Sequence, residues 1–485
     1  MILLALFCVP LIAMCNIIIT PRNNYLRLNK IALFWSLLEL VLFIVFLLLF
    51  SKIDNFQFSY SIDWLNILFT TLGWGSLIIN YDGISIFFLG LSIILIPISL
   101  LISWVSIKNL KKEFILFLFL ILSLLIAVFS IMDILVFYIL FEAILIPMFL
   151  IIGIWGSREE KIKASFYFFF YTLIGSLLML LSIFKLYSIT GSTNYFTLIA
   201  IDIPHITQFW LFLGFFASFS VKIPMIPFHI WLPQAHVEAP VAGSVLLAGI
   251  LLKLGGYGFI RFSYPLFPIA SEYFSPFIVF LSLLAIIYAS FTTCRQTDIK
   301  RLIAYSSVSH MGLVTLALFT HSSEGLIASI IMMLAHGLVS SGMFMTSAIL
   351  YVRHHSRIIK YFRGVVIMMP IFSIISLVLI LANMSFPLTL NFIAEFLSIT
   401  AAFSYSHVVG LLSCTGILLG TVYSLYFYNR IYFGNVSSYI IKPRELLRYE
   451  FNSFVPLLIL TILLGFFPNL IIKVMNYSNF INISL

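Results

Sequence analysis

Charge is scarce in this sequence: Asp, Glu, Lys and Arg supply 9% of the residues, while hydrophobic residues supply 62%. Soluble globular chains carry about a quarter charged and about half apolar residues, so a string of soluble domains is excluded. Polar linkers are missing too, and the chain reads as a single integral membrane domain over 1–485. The 4 cysteines, Cys8, Cys15, Cys294 and Cys414, stand apart, with no CxxC and no Cys/His spacing of a metal site. They predict neither a disulfide framework nor an iron–sulfur or zinc centre. No GxGxxG follows a strand and no GxxxxGK[ST] occurs, which excludes hydride or phosphoryl chemistry on a nucleotide fold. The formal charge of +9 is scattered through short loops and traces no phosphate groove, so nucleic acid is not an expected partner. No basic segment precedes MILLALFCVPLIAMC, which predicts a retained first span and not a cleaved signal.

What the chain has instead is apolar runs. About 20 apolar residues cross a bilayer, and about fourteen such windows occur. They lie near 1–20, 32–50, 83–106, 114–131, 134–155, 164–188, 207–231, 240–262, 275–293, 301–320, 326–351, 365–402 (broken), 407–429 and 453–473. The expected architecture is an all-α polytopic membrane protein. Loops after odd-numbered windows hold the basic residues, among them Arg22, Lys108, Lys112, Arg158, Lys163, Arg295, Lys300, Arg353, Arg357 and Arg444. The opposite side holds only Lys52, Arg261 and Lys473. That asymmetry is what the positive-inside rule requires of a correct alternation, and it places both termini on the positive-poor side. The fourth and fifth windows almost touch at Met132 and Asp133. Ser51 to Asp82 reads as the longest aqueous stretch, with Trp64 and Trp74 along the interface.

The stretch ASFSVKIPMIPFHIWLPQAHVEAPVAGSVLLAGILLKLGGYGFIR, from Ala217 to Arg261, places Lys222 and Lys253 deep inside apolar windows. Pro224, Pro227, Pro233 and Pro240 lie between them, with His229, His236 and Glu238. A buried ammonium in hydrocarbon costs a few kcal/mol or more and marks a functional site by default. The alternative is a lysine snorkelling to the interface, which suits one near a helix end. Four further ionisable residues sit inside windows: Glu142, one turn before Pro147, then His310, His336 and Glu395. A buried carboxylate tends to protonate and a buried lysine to lose its proton unless the two approach each other. An adjacent pair titrates as one unit, so these residues together predict a proton relay. A structural, hydrogen-bonded role for the two histidines remains open, and Glu39 reads as peripheral. The interior polar groups are few and titratable, which favours protons over a bulky substrate.

Windows four to eight and nine to thirteen each carry an interrupted helix in fourth place. They predict two inverted five-helix repeats, 114–262 and 275–429, with 1–113 and 430–485 flanking them and helices seven and twelve broken. Interrupted spans at matching positions point to a transport pathway. Inversion further places Glu395 at the break of its helix, in the position of Lys222.

Several segments carry a resemblance: FEAILIPMFLIIGIWG, the Ala217–Arg261 block, RQTDIKRLIAYSSVSHMG, MLAHGLVSSGMF and SLYFYNR. Through them the chain resembles the antiporter-like membrane subunits of respiratory NADH–ubiquinone oxidoreductase (complex I), a family shared with cation/proton antiporter subunits. The resemblance is most specific from about Asp82 to Arg430. It implies that Glu142 and Lys222 form the acid–lysine pair of a first half-channel and that Lys253 links the halves. His310 and His336 would lie on the axis, with Glu395 in the second half-channel. It implies no flavin, iron–sulfur cluster or quinone on this chain, and other antiporter-like chains and membrane lipids as neighbours. The abundance of Phe, Ile and Leu suits an AT-rich organellar genome, hence the mitochondrial inner membrane. One departure is SFPLTLNFIAEF, where the family usually has Gly after the Pro-containing turn. A sodium/proton antiporter subunit and a non-conducting assembly scaffold are the alternative readings.

Overall fold

Each apolar window becomes helical in the computed structural model, which describes residues 2–50, 56–62, 77–437, 439 and 444–476. The first helices are α1 (Ile2–Ile19), α2 (Tyr25–Leu49), α3 (Gly83–Ile102), α4 (Lys111–Val128), α5 (Ile134–Ala143), α6 (Leu145–Trp155) and α7 (Lys161–Thr190). A short α8 (Tyr195–Ile199) precedes α9 (His205–Lys222) and α10 (Trp231–Glu238). The next span, Val241–Leu266, is a rod of α11 (Val241–Leu246), α12 (Leu252–Gly258) and α13 (Tyr264–Leu266), joined by π-helical turns at Leu247–Leu251 and Phe259–Ser263. Then follow α14 (Pro268–Cys294), α15 (Ile299–Leu318), α16 (Ser323–His354), α17 (Val365–Met368) and α18 (Pro370–Asn383). The chain continues through α19 (Leu390–Tyr405), α20 (His407–Tyr432), α21 (Arg448–Phe466) and α22 (Asn469–Asn476). Among the described residues, 9 helices are long and apolar enough to cross a membrane. Shorter apolar helices, such as α18 and α19, lie at a chain break.

Polar residues at window edges set the helix starts. Asp82 accepts from the Ser85 N–H while Ser85 Oγ accepts from the Asp82 N–H, both at 2.9 Å, a reciprocal cap on α3. Asp133 accepts from the Leu135 and Val136 amides and so separates α4 from α5 at the expected boundary. Its other oxygen accepts from Thr193 Oγ1 at 2.6 Å. The window 134–155 is less regular than expected, because Pro147 has no N–H for the Ala143 carbonyl and the helix turns at Ile144.

The rod Val241–Leu266 is buried from Ala242 to Tyr264 and packs between α3 and α16. Small residues permit this. A Cβ on Gly337 of α16 would lie 2.8 Å from the Gly249 carbonyl oxygen and 2.7 Å from Leu91, so any side chain there would force the rod away. The outer helices α2, α7 and α20 instead present Leu48, Ile174, Leu181 and Leu418 outward, as a bilayer-facing surface demands.

Within the stretch read as aqueous, β1 (Gln57–Ile62) and β2 (Leu77–Tyr81) pair antiparallel, and the assignment of Arg261 to a loop is corrected. β2 also pairs with the α4–α5 turn through Asn80 N–H to the Ser130 carbonyl and Met132 N–H to the Ile78 carbonyl, each 2.9 Å. Trp64 and Trp74 lie outside the described residues, as does Lys52. Arg261 is not a loop residue: it lies in the rod, buried, with its guanidinium 2.6 Å from Asp82. Lys300 and Arg357 also turn inward and are buried. Hydropathy alone shows only where a basic residue sits in the chain, so it missed that these three find carboxylate or carbonyl partners.

Candidate functional site

The first interruption follows from proline. Pro224 and Pro227 cannot donate to a helical ladder, so α9 stops at Lys222 and the chain runs irregularly to Phe228. The carbonyls released there need partners, because irregular backbone at membrane depth is tolerated only when buried in protein or wetted. Trp231 Nε1 donates to the Val221 carbonyl at 2.9 Å, and the Met225 N–H donates to the Ser220 carbonyl at 2.9 Å. Lys222 thus ends a half-helix whose free carbonyls carry partial negative charge, which favours a cation in that turn.

Lys222 is 3% exposed, and its ammonium lies 4.1 Å from the centre of the Phe141 ring. Glu142 is the next residue on α5. Among the described residues Glu142 and Lys222 form no direct ion pair, and Glu142 Oε1 has no hydrogen-bond partner. What the ammonium faces directly is the Phe141 ring. Lys222 also meets the rod closely: a Cβ on Gly255 would lie 3.1 Å from Lys222 Cβ and 2.9 Å from the Phe219 carbonyl oxygen. Only glycine lets these two lysine-bearing segments approach that far.

Lys253 is completely buried. It follows the π-helical turn Leu247–Leu251, a geometry that often marks functional positions. Its ammonium bonds the Ala248 carbonyl and lies 2.8 Å from His336 Nδ1. With Lys253 as donor, Nδ1 accepts and the ring proton of His336 sits on Nε2. The ring of His310, on α15, is 5.8 Å from that of His336. His310 Nδ1 in turn lies 3.2 Å from Glu395 Oε1, within ion-pair range but not aligned as a hydrogen bond. Lys253, His336, His310 and Glu395 therefore form one string through four separate elements of the interior.

Glu395 belongs to α19, after the second interruption at 384–389. There Ser385 and Leu388 take positive φ, 59° and 75°. Leu388, the residue after Pro387, thus adopts a conformation that glycine favours. The expectation that Glu395 sits at its break, in the position of Lys222, is corrected. Lys222 is the last residue before its break, whereas Glu395 is five residues past Leu390, about 7–8 Å along α19. That offset brings its carboxylate level with His310.

Side chains that sequence reasoning noted only in passing, or placed in loops, border this string. His236 is fully buried and stacks on Phe344 with centroids 4.4 Å apart. Glu238 lies 4.0 Å from Arg357, which also donates to the Val237 carbonyl at 2.6 Å. Lys300 donates to the Ala239 carbonyl at 3.0 Å. The signal for this cluster was an acid, Glu238, immediately after a broken helix and with no neighbour of opposite charge in sequence. Glu39, read as peripheral, is fully buried, and neither carboxylate oxygen has a hydrogen-bond partner. Among the described residues, no three His, Cys, Asp or Glu side chains converge as a metal site.

Residues 131–421 match the sequence profile of the NADH:quinone oxidoreductase/Mrp antiporter transmembrane family. The chain is similar to NADH-ubiquinone oxidoreductase chain 4 of Metridium senile, 56% identical over 96% of this chain and 95% of that protein. It is also similar to the protein of the same name from Marchantia polymorpha, 48% identical over 98% and 95%. Among solved structures it is similar to a chain of respiratory complex I from Thermus thermophilus with bound NADH. That match has a TM-score of 0.89, 25% identity and 100% coverage of both chains.

Proposed function

The chain belongs to the NADH:quinone oxidoreductase/Mrp antiporter membrane family, and on that premise we propose that it is a proton-translocating membrane-arm subunit of respiratory NADH:ubiquinone oxidoreductase. The observation that carries this reading is the string from Lys253 through His336 and His310 to Glu395. Fixed metal or cofactor ligands would hold one protonation state. Adjacent buried groups of both signs and intermediate basicity exchange protons as a coupled set.

In this reading a proton from the positive-rich side reaches the Glu142–Lys222 pair, and Lys253 takes over the charge across the close approach at Gly255. His336 and His310 carry it to Glu395, which releases it toward the positive-poor side. The residues 114–262 and 275–429 act as inverted halves, one for uptake and one for release. The chain itself holds no redox group, and electron transfer on partner subunits supplies the energy. Its partners are neighbouring antiporter-like membrane chains and lipids. Its site is the mitochondrial inner membrane, with both termini facing the intermembrane space.

The test is Glu395→Gln, which keeps shape and hydrogen bonding but deletes the titration. The expected result is an assembled complex with slowed NADH–ubiquinone turnover and unchanged electron delivery from NADH to artificial acceptors. Wild-type pumping in that variant overturns the relay. Pumping that requires sodium in the wild type favours the antiporter reading instead.

A further inference from the structure

Beyond Lys253 the rod continues toward the positive-poor side, and its polar residues there take no part in the relay. Lys253, Tyr257 and Arg261 stand at i, i+4 and i+8, each about one helical turn from the last. From Lys253 to Arg261 is about 12 Å along the axis, and the rod ends soon after, at Leu266. A direct passage this short would let Lys253 exchange protons with the positive-poor side without His336, His310 or Glu395. Arg261 lies in the second π-helical turn of the rod, Phe259–Ser263, just as Lys253 follows the first. Such turns often mark functional positions.

The side chains along this line oppose such a passage. Arg261 Nε donates to Tyr257 Oη at 3.3 Å, and Tyr257 Oη donates to the Phe129 carbonyl at 3.2 Å. The hydroxyl thus has its proton committed to a backbone carbonyl and a lone pair to a guanidinium. A guanidinium has donors but no acceptor and does not release its proton, so it cannot pass a proton on from Tyr257. Asp82 is no better placed to take one. Its Oδ1 accepts from the Ser85 amide and lies 2.6 Å from the Arg261 guanidinium, and a proton there would cost the buried cation this carboxylate. Phe88, Phe129 and Phe137 surround the Tyr257 ring, with centroids 5.9, 5.1 and 6.4 Å away. Walls of that kind give a chain of waters no polar partners. We propose that Arg261, fixed by Asp82, is a proton barrier that closes the axial route from Lys253 to the positive-poor side. The barrier rests on the relay reading above, and its effect is on direction. With it, the proton that Lys253 sends along the string comes from the positive-rich side. Without it, Lys253 reloads from the positive-poor side and the proton returns to where it began, so turnover continues while net transport is lost. Fixed cations exclude protons from narrow pores in the same manner.

The experiment measures protons moved per NADH oxidised by the assembled complex in liposomes, with an internal pH-sensitive dye and NADH absorbance read together. A merely structural loss lowers the amount of complex or its rate and leaves this ratio unchanged. Arg261→His puts an imidazole, which both accepts and donates, in place of the guanidinium. The ratio is expected to fall in that variant while NADH oxidation continues. Adding Tyr257→Phe removes the hydroxyl through which the new route runs and is expected to restore the ratio. An unchanged ratio in Arg261→His overturns the proposal, as does a fall that survives Tyr257→Phe, which would be a packing defect that admits water. Should Arg261→His not assemble, Arg261→Lys is read instead: it keeps a cation against Asp82, but one that can release its proton, and an unchanged ratio there overturns the barrier equally. Glu395→Gln, read by turnover, decides the relay itself, so failure of the relay and failure of the barrier are told apart.

Discussion

The Lys253 ammonium lies 2.8 Å from His336 Nδ1, although the two residues are 83 positions apart. This contact joins the buried rod to α16.

Because the string is serial, a break at either residue has the same consequence. Lys253→Met and His336→Leu are each expected to lower coupled NADH–ubiquinone turnover by about tenfold or more, and the double variant no further than the worse single one. Turnover in assembled membranes checks this. Multiplicative losses would mean that the two residues act on separate routes.

Lys222→Met preserves the volume of the stem, so assembly is expected to survive while turnover falls. Phe141→Leu removes the ring that faces the ammonium, a contact of about 0.5–2 kcal/mol. It is expected to slow turnover less than Lys222→Met does. The ranking of the two rates, measured at equal complex content, is the check, and a full rate in Lys222→Met contradicts the relay.

Asp82 and Arg261 meet at 2.6 Å with both side chains 1% exposed. Arg261→Met leaves a buried carboxylate without its partner, an expected loss of about 3–5 kcal/mol that lowers the amount of assembled chain. Adding Asp82→Asn removes the charge but retains a cap for α3. The double variant is expected to recover most of the assembly, measured on native gels. No recovery would mean that Arg261 acts in some way other than through Asp82.

Leu388 holds φ at 75°, and its side chain is 56% exposed, so little packing is lost when it is removed. Leu388→Gly is expected to relieve about 1–2 kcal/mol of backbone strain. The thermal midpoint of the assembled complex rises and turnover is unchanged. Leu388→Val, β-branched, is expected to lower the midpoint.

Apolar runs, prolines and stray ionisable residues were enough for the sequence by itself to determine the membrane class, the positions of the helices and both interruptions. Those signals are local: hydrocarbon tolerates only long apolar helices, and proline breaks a ladder wherever it stands. The same logic singled out Glu142, Lys222, Lys253, His310, His336 and Glu395, because a charge among apolar neighbours is visible without coordinates. Which of them touch was decided only by tertiary structure. The glycine contact between Gly249 and Gly337 sets how closely the rod and α16 approach, and so whether Lys253 reaches His336. The placement of Glu395 past its break, level with His310, likewise depends on how α19 packs against α15 and α16. Arg261, Lys300 and Arg357 read as topology markers in one dimension and are buried in three, since a cation's partner is defined by packing and not by chain distance.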